Sequence, residues 1–326
     1  MRIVALIVVL TLAPSIPATS SAAESGPLAD QKAVLITGAS TGLGRAMAER
    51  LAEDGYFVYA GARKLADLNA LNAIENISAI RIDVTVQEEI DAAVATVQAA
   101  GGDLFALVNN AGVLITGPSA ETSIDDVKWL FDVNVYGVMR MTSAFAPLLI
   151  ENKGRVINIG SIAGSVGFGY LGAYSMTKHA IEAYTEALHT EMAPLGVGVS
   201  VIKPGDYASN IWNADAATTN SRLDDMENDG SPYAAGYREW LSVNVEQGDP
   251  DDVADILLQA LSDQPMAKRY LIVPNETEMS WVMSNMLDRL ADLNRNNEHA
   301  WPAEKIASDI TTTISRKTAE SNQSHR

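Results

Sequence analysis

Tyr174 and Lys178 stand four residues apart in Tyr174-Ser175-Met176-Thr177-Lys178, and Ser161 stands thirteen residues before the tyrosine. On a helix, positions i and i+4 share one face, so the ammonium lies beside the phenol. Hydride leaves an alcohol carbon easily only if the oxygen loses its proton, and the base must lie within hydrogen-bond reach of that oxygen. A free phenol, with a pKa of about 10, titrates too high to be an efficient base near neutrality. A neighbouring ammonium is expected to favour the phenolate and lower that value. Ser161, at the end of an apolar run, can hydrogen-bond the substrate oxygen and orient it. The spacing therefore points to proton transfer at an alcohol or carbonyl oxygen, with Tyr174 as general acid/base.

Such chemistry needs a hydride carrier, and a second motif far upstream can hold one. Thr37-Gly38-Ala39-Ser40-Thr41-Gly42-Leu43-Gly44 follows an apolar run and precedes Leu43, Met47 and Leu51 at helical spacing. Glycine lets the backbone approach a pyrophosphate, and the following helix turns its N-terminus toward the negative charge. The spacing is not the common G-x-G-x-x-G, but the strand–turn–helix setting is that of a dinucleotide site. Candidate contacts here are Thr37, Gly38, Ser40, Thr41, Gly42, Leu43 and Gly44. An acid at the end of the second strand would bind a free ribose 2′-hydroxyl. The residues there are Ala60-Gly61-Ala62-Arg63-Lys64, without an acid. Arg63 thus favours a 2′-phosphate, and NADP is expected over NAD; the alternative is that Arg63 and Lys64 are ordinary surface charges. Asp83, with Val84, is placed to meet the adenine, and Asn110, Ala111 and Gly112 the adenosine ribose. Lys178 can also donate to the nicotinamide ribose.

These residues must be positioned by an alternation of strands and helices. Apolar runs at 32–37, 56–60, 79–82, 104–108, 155–159, 197–202 and 270–273 read as strands, and helical patterns fill the gaps, notably at 123–150 and 171–192. Continuous apolar strands alternating with helices imply a parallel sheet covered on both faces, an α/β doubly wound Rossmann fold of about seven strands in one domain over 29–310. Ligands bind beyond the carboxyl ends of such strands, where the glycine-rich and polar segments fall. Residues 206–247 break the alternation. They carry Tyr207, Ile211, Trp212, Tyr233, Tyr237 and Trp240 and are expected to form a mobile insertion over the site, the aromatics either facing substrate or packing the insertion onto the body.

The chain has 326 residues and a net charge of −18, which argues against nucleic acid or an anionic membrane as partner. With no cysteine, disulfides and thiolate chemistry are excluded. His179, His189, His299 and His325 do not combine with other ligands at metal-site spacing, so no metal is expected. Residues 1–28 read as a signal peptide or membrane anchor: Arg2, an apolar run at 3–13, then Ser20-Ser21-Ala22-Ala23. The protein is thus expected to be exported or membrane-attached, a cytoplasmic enzyme with an unusual leader being the alternative. Residues 311–326, rich in Ser and Thr, read as a flexible tail.

Taken together, Thr37-Gly38, Gly42-Leu43-Gly44, Asn109-Asn110-Ala111-Gly112, Ser161, Tyr174, Lys178 and Pro204-Gly205 resemble the short-chain dehydrogenase/reductase family over residues 32–273. The resemblance implies a single-domain Rossmann fold, a small-molecule alcohol or carbonyl substrate, and a homodimer or homotetramer built through the long helices holding Asn134 and Tyr174. It adds Asn134 as holder of a water behind Lys178, and Pro204 and Gly205 as cofactor contacts. Where the family often has a threonine that binds the nicotinamide carboxamide, this chain has Ser209. The chain also continues past the seventh strand with Met279, Met283, Met286 and Leu290 at helical spacing, either a packing or subunit-contact stripe or a lipophilic substrate wall. The extension and the aromatic insertion look most like members acting on steroids, retinoids or similar alcohols. Two other readings stay open: a dinucleotide-binding regulatory protein without turnover, and an isomerase or dehydratase on the same scaffold. A Ser-His-Asp hydrolase centred on Ser161 is disfavoured, because the G-x-S-x-G elbow is absent.

Overall fold

A computed structural model describes residues 26–324, except 215, 244 and 296. The leader expected over 1–28 falls almost wholly outside the described residues. In chain order the elements are β1 (Ala33–Ile36), α1 (Gly42–Glu53), β2 (Phe57–Ala62), α2 (Leu65–Leu71), β3 (Ile77–Arg81), α3 (Gln87–Ala99), β4 (Leu104–Asn109), α4 (Ile124–Phe131) and α5 (Val138–Glu151). There follow β5 (Arg155–Ile159), α6 (Gly172–Met192), β6 (Gly198–Pro204), α7 (Ile211–Ala214), α8 (Ala216–Asn228), α9 (Ala234–Ser242), α10 (Pro250–Ser262), β7 (Arg269–Ile272), α11 (Glu276–Arg295) and α12 (Ala303–Ser324).

The strands form one parallel sheet in the order β3-β2-β1-β4-β5-β6-β7. Side chains alternate across a strand, so one short apolar run feeds two cores. In β1, Val34 and Ile36 join Met47, Leu51 and Leu257 on the face covered by α1 and α10. Ala33 and Leu35 join Leu107, Phe145, Leu149 and Val156 on the face covered by α3, α5 and α6. This is the doubly wound Rossmann architecture the alternation predicts. The order reverses between β1 and β4, and a crevice opens at their carboxyl ends.

Three segments differ from the sequence reading. The helix expected over 123–150 is divided: a π-helical turn, Asp132–Gly137, separates α4 from α5 and carries Asn134. The insertion expected over 206–247 contains three helices, α7, α8 and α9. The tail expected to be flexible over 311–326 is helical as far as Ser324. Ser and Thr disfavour helix interiors because their hydroxyls compete for backbone groups. Here Thr311, Thr312 and Thr318 donate to the carbonyls four residues earlier, at 2.9, 2.9 and 3.0 Å, which keeps that competition inside the helix.

Candidate active site

The nucleotide end is built where β1 and β4 finish side by side. Thr37 Oγ1 accepts from the backbone N–H of Asn110 and of Ala111, both at 3.0 Å. Asn110 Nδ2 donates back to Thr37 O at 2.9 Å and Gly38 O at 3.2 Å. Two loops far apart in sequence become one rigid rim. A Cβ at Gly44 would lie 2.3 Å from Gly38 O and 2.4 Å from Asn110 Nδ2, so the third glycine is required by close packing. Gly38 and Gly42 have φ of +67° and +55°, the left-handed region glycine enters freely. Thr41 caps α1 without a side-chain hydrogen bond, and the first turn has no acid. Helix-start N–H groups are thus left for an anion, as a pyrophosphate requires.

Further along the same crevice, Asp83 Oδ1 accepts from Thr85 N at 3.0 Å and Thr85 Oγ1 at 2.7 Å. Arg63 lies 3.6 Å from Asp83 Oδ2, with its side chain 64% exposed. Burial alone would raise the Asp83 carboxyl, but the Thr85 bonds and Arg63 outweigh it and hold it below its usual value. Asp83 and Val84 line the same cavity as Ser40, Thr41, Leu43, Ala111 and Gly112. The cavity has a volume of about 1040 Å³ and runs from Arg63 past the glycine turn to Tyr174 and Lys178. Its glycine cradle and open helix start fit a dinucleotide.

The chemistry end is set by β5 and α6. Ser161 follows β5 and accepts from Ala163 N at 3.0 Å. Lys178, buried on α6, donates to Ile159 O at 2.8 Å, and its ammonium lies 5.6 Å from the centroid of the Tyr174 ring. Ser161, Tyr174 and Lys178 all face the cavity. The expected acidification of the phenol is not found. Burial dominates and pushes Tyr174 up to about 12, the Ser161 hydroxyl opposes this, and Asp206 adds to it. Lys178 is brought down to about 8 by the same burial. Its ammonium is held on a carbonyl of β5 instead of on the phenol, so spacing on the helix did not decide the electrostatics.

Asn134 makes three side-chain hydrogen bonds. Its Oδ1 accepts from Val113 N at 2.8 Å, while its Nδ2 donates to Val113 O at 2.9 Å and Thr177 Oγ1 at 3.2 Å. The side chain is engaged in fixing the loop after Gly112 against α6, and the π-helical turn is what aims it there. Pro204 and Gly205 line the cavity beyond β6, and Ser209 packs on the glycine turn: a Cβ at Gly42 would lie 3.1 Å from Ser209 Cβ.

Several contributing contacts escaped the sequence reading, which placed Asn109 in a motif without its partners. Asn109 Nδ2 donates to Thr142 Oγ1 at 3.1 Å and Asn158 Oδ1 at 2.9 Å, and Asn158 Nδ2 donates to Thr185 Oγ1 at 2.8 Å. This buried chain locks β4 and β5 to α5 and α6, which fixes Ser161 relative to Tyr174. An asparagine inside an otherwise apolar strand was the available signal. Lys203 Nζ lies 3.1 Å from Glu182 Oε1, and Arg269 Nε lies 2.9 Å from Glu182 Oε2, so α6, β6 and β7 share a partly buried ion cluster. No local pattern announces it.

The insertion forms the substrate-side wall. Ile211, Trp212, Trp240, Val243 and Val245 line the cavity, with Phe168 from the loop before α6. Tyr237 is fully buried and shares a 2.5 Å hydrogen bond with Thr116, while Arg222 pairs with Asp126 at 3.2 Å. The insertion is thereby tied to α4 and to the segment before it. Of its aromatics, Trp212 and Trp240 face the cavity, Tyr207 is buried yet also borders it, Tyr237 packs the insertion onto the body, and Tyr233 is exposed.

Against known proteins, the family described as short chain dehydrogenase matches residues 32–220. The chain is 32% identical over 250 residues to a 3-amino-tetrahydro-pyrrolizinone reductase of Xenorhabdus hominickii, covering 74% of this chain and 87% of that protein. It is 33% identical over 214 residues to a 3-ketodihydrosphingosine reductase of Bacteroides thetaiotaomicron, covering 64% and 74%. A solved short-chain dehydrogenase of Streptomyces avermitilis superposes with a TM-score of 0.67 at 28% identity, covering 88% of this chain and 98% of that one. One from Burkholderia cenocepacia, in complex with NADP, superposes with a TM-score of 0.63 at 25% identity, covering 80% and 96%. With a glycine cradle at one end of the crevice and a serine, tyrosine and lysine at the other, these likenesses make the chain a member of the short-chain dehydrogenase family of oxidoreductases.

Proposed function

We propose that the protein interconverts a secondary alcohol and a ketone, or an aldehyde and its alcohol, with NADP as cofactor. The observation that carries this reading is the meeting of Ser161, Tyr174 and Lys178 at one end of a cavity whose other end is a glycine cradle. Thr37, Gly38, Ser40, Thr41, Gly42, Leu43 and Gly44 would hold the pyrophosphate region, with Asp83, Val84, Asn110, Ala111 and Gly112 along the adenosine. Pro204, Gly205 and Ser209 would close over the far end. When bound, the cofactor supplies or accepts the hydride.

The chain's own groups handle the proton and the orientation. Ser161 donates to the carbonyl oxygen and aligns it. Tyr174, a phenol protonated at neutral pH and pushed up by burial to about 12, gives its proton to that oxygen during reduction and takes it back during oxidation. Lys178 keeps a positive charge beside the phenol and is near enough to the crevice to bond a ribose hydroxyl. Asn134 holds the loop after β4 in place. Arg63, exposed at the rim without an acid at the end of β2, favours the 2′-phosphate of NADP; Arg63→Asp should shift the cofactor preference toward NAD by about tenfold or more, measured as the ratio of kcat/KM for the two cofactors. The apolar wall of Trp212, Trp240 and Phe168 suits a lipophilic substrate such as a steroid or retinoid alcohol.

The deciding experiment follows cofactor absorbance across a panel of steroids, aldehydes and ketones. Net consumption is expected. Tight cofactor binding without consumption would favour a regulatory protein, and product without net consumption would favour an isomerase or dehydratase. The exposed Tyr136 and Met139 beside or on α5 and Met176 on α6 support assembly through these helices into a homodimer or homotetramer, which light scattering would measure. The signal-like leader supports export or membrane attachment, which mass determination of the mature N-terminus would test.

A further inference from the structure

Asp206 stands in the same chamber as Tyr174, yet the proton transfer above does not use it. Its backbone is pinned on both sides. Gly205 N donates to Ile272 O at 2.8 Å, Gly248 N donates to Asp206 O at 2.9 Å, and Ala208 N donates to Gly248 O at 3.0 Å. A third tether comes from the C-terminal extension. Asn275 precedes α11 and accepts from Glu278 N at 2.9 Å. Asn-x-x-Glu at a helix start is a capping-box pattern, in which the glutamate ordinarily turns back to the N–H of the cap residue. Here the Glu278 carboxylate instead reaches across and accepts from Asp206 N at 3.1 Å. Gly205 makes the crossing possible, since a Cβ there would lie 2.2 Å from Glu278 Oε1.

The result is a carboxyl group with another carboxyl group behind it and, among the described residues, no ion pair of its own. Lys178 is held on Ile159 O, Lys203 on Glu182 and Ser165, and Arg222 on Asp126 and Thr116 O. Among the described residues the Asp206 carboxylate forms no hydrogen bond or ion pair. Its charge is felt at the phenol, where it helps to raise Tyr174. Each of the two acids is itself raised, chiefly by burial, and for Glu278 also by Asp206. A substrate whose carbonyl meets Tyr174 thus shares its chamber with an acid that has no ion pair among the described residues.

We propose that Asp206 is a specificity-determining residue that favours substrates carrying an amino group near the reacting carbonyl and rejects those carrying a carboxylate there, an inference that rests on the oxidoreductase reading. An ammonium would give Asp206 its missing partner, whereas a carboxylate would meet like charge in a poorly solvated corner.

The test uses the full-length protein with NADPH and three ketones that share one skeleton and end in a methyl, an ammonium or a carboxylate. Each kcat/KM is normalised to that of the methyl compound. Wild type should prefer the ammonium compound to the carboxylate compound by about tenfold or more, equivalent to about 1.4 kcal/mol. Asp206→Asn should collapse that ratio to within about threefold, and Asp206→Ser serves the same purpose should the asparagine variant fold poorly. An unchanged ratio in a folded variant, or a wild-type preference for the carboxylate, overturns the proposal. The melting-temperature shift that each compound gives to the NADP-loaded protein provides a second readout. The same order is expected there even if no compound is turned over. A protein that binds NADP and shows the order without consuming cofactor would count against the oxidoreductase reading and for the selectivity of Asp206.

Discussion

At the nucleotide end of the cavity, Thr37, Gly38, Asn110 and Ala111 come from two adjacent strand ends and are joined by four hydrogen bonds, with Gly44 packed against them. At the substrate end, the walls come from β5, β6, α6 and the inserted helices α7 and α9, elements spread over residues 155–242. The first region is a backbone cradle in which a single Cβ is too much. The second is made of side chains whose size and charge can vary while the backbone stays in place. A dinucleotide presents the same phosphates whatever the substrate, so its cradle is fixed by sterics. On the reading proposed above, selectivity is left to Asp206, Trp212, Trp240 and the other groups that line the far end of the cavity.

That contrast is open to tests of decreasing size. Tyr174→Phe should lower turnover by about 10²- to 10⁴-fold, the range of a lost general acid, while a fluorescence titration gives a similar NADP affinity. A variant with normal turnover would detach the chemistry from the tyrosine. Gly44→Ala should act in the opposite sense, weakening NADP binding by at least about tenfold and costing about 1–3 kcal/mol of stability by overpacking. A titration and a denaturant melt measure both, and wild-type values would show that the rim is softer than its contacts imply.

A third test concerns charge. Lys178 is cationic below about pH 8 and loses its proton as pH rises through that value, so kcat/KM for carbonyl reduction should fall above about pH 8. Lys178→Arg, which cannot deprotonate in this range, should remove that fall from whatever activity it retains. The stability linkage has the opposite sign. A lysine depressed from 10.5 to about 8 makes the folded state bind fewer protons than the unfolded state, so its contribution to stability rises between those values. Tyr174, raised from 10.0 to about 12, stabilises the fold below its ordinary value and loses that contribution only as pH rises toward 12. The decline in activity should therefore appear without a parallel drop in melting temperature from this pair; coincident curves would mean unfolding. The smallest effect is expected at Tyr237→Phe. It removes the hydroxyl bonded to Thr116 and should cost about 1 kcal/mol while leaving the fold intact. Limited proteolysis of the 206–247 segment would show whether that bond fastens the insertion.

The two ends also differ in how much of them the sequence disclosed. The glycine turn, Ser161, Tyr174 and Lys178 were legible because each requirement is met within a few consecutive residues. An apolar run gives a strand, glycines permit φ above zero, and a four-residue step gives one helix face. The strand–helix alternation gave the sheet for the same reason. Asn134, assigned by resemblance, lies at the site with its amide turned toward Val113, because a π-helical turn aims it. The helix over Ala303–Ser324 was not foreseen because its polar, Ser- and Thr-rich end was read as a tail, whereas the threonine hydroxyls bond within the helix.

The amino-acid order by itself disclosed the fold class, the glycine turn and the serine, tyrosine and lysine that the fold brings to one cavity, since these depend on local geometry and hydrophobic period. Only the tertiary structure decided the direction in which Tyr174 titrates, the carbonyl that holds Lys178, and the crossing of Glu278 to Asp206. Each depends on which groups end up next to one another and how much water remains between them. Those are properties of chain segments meeting at long range, and no spacing along the chain encodes them.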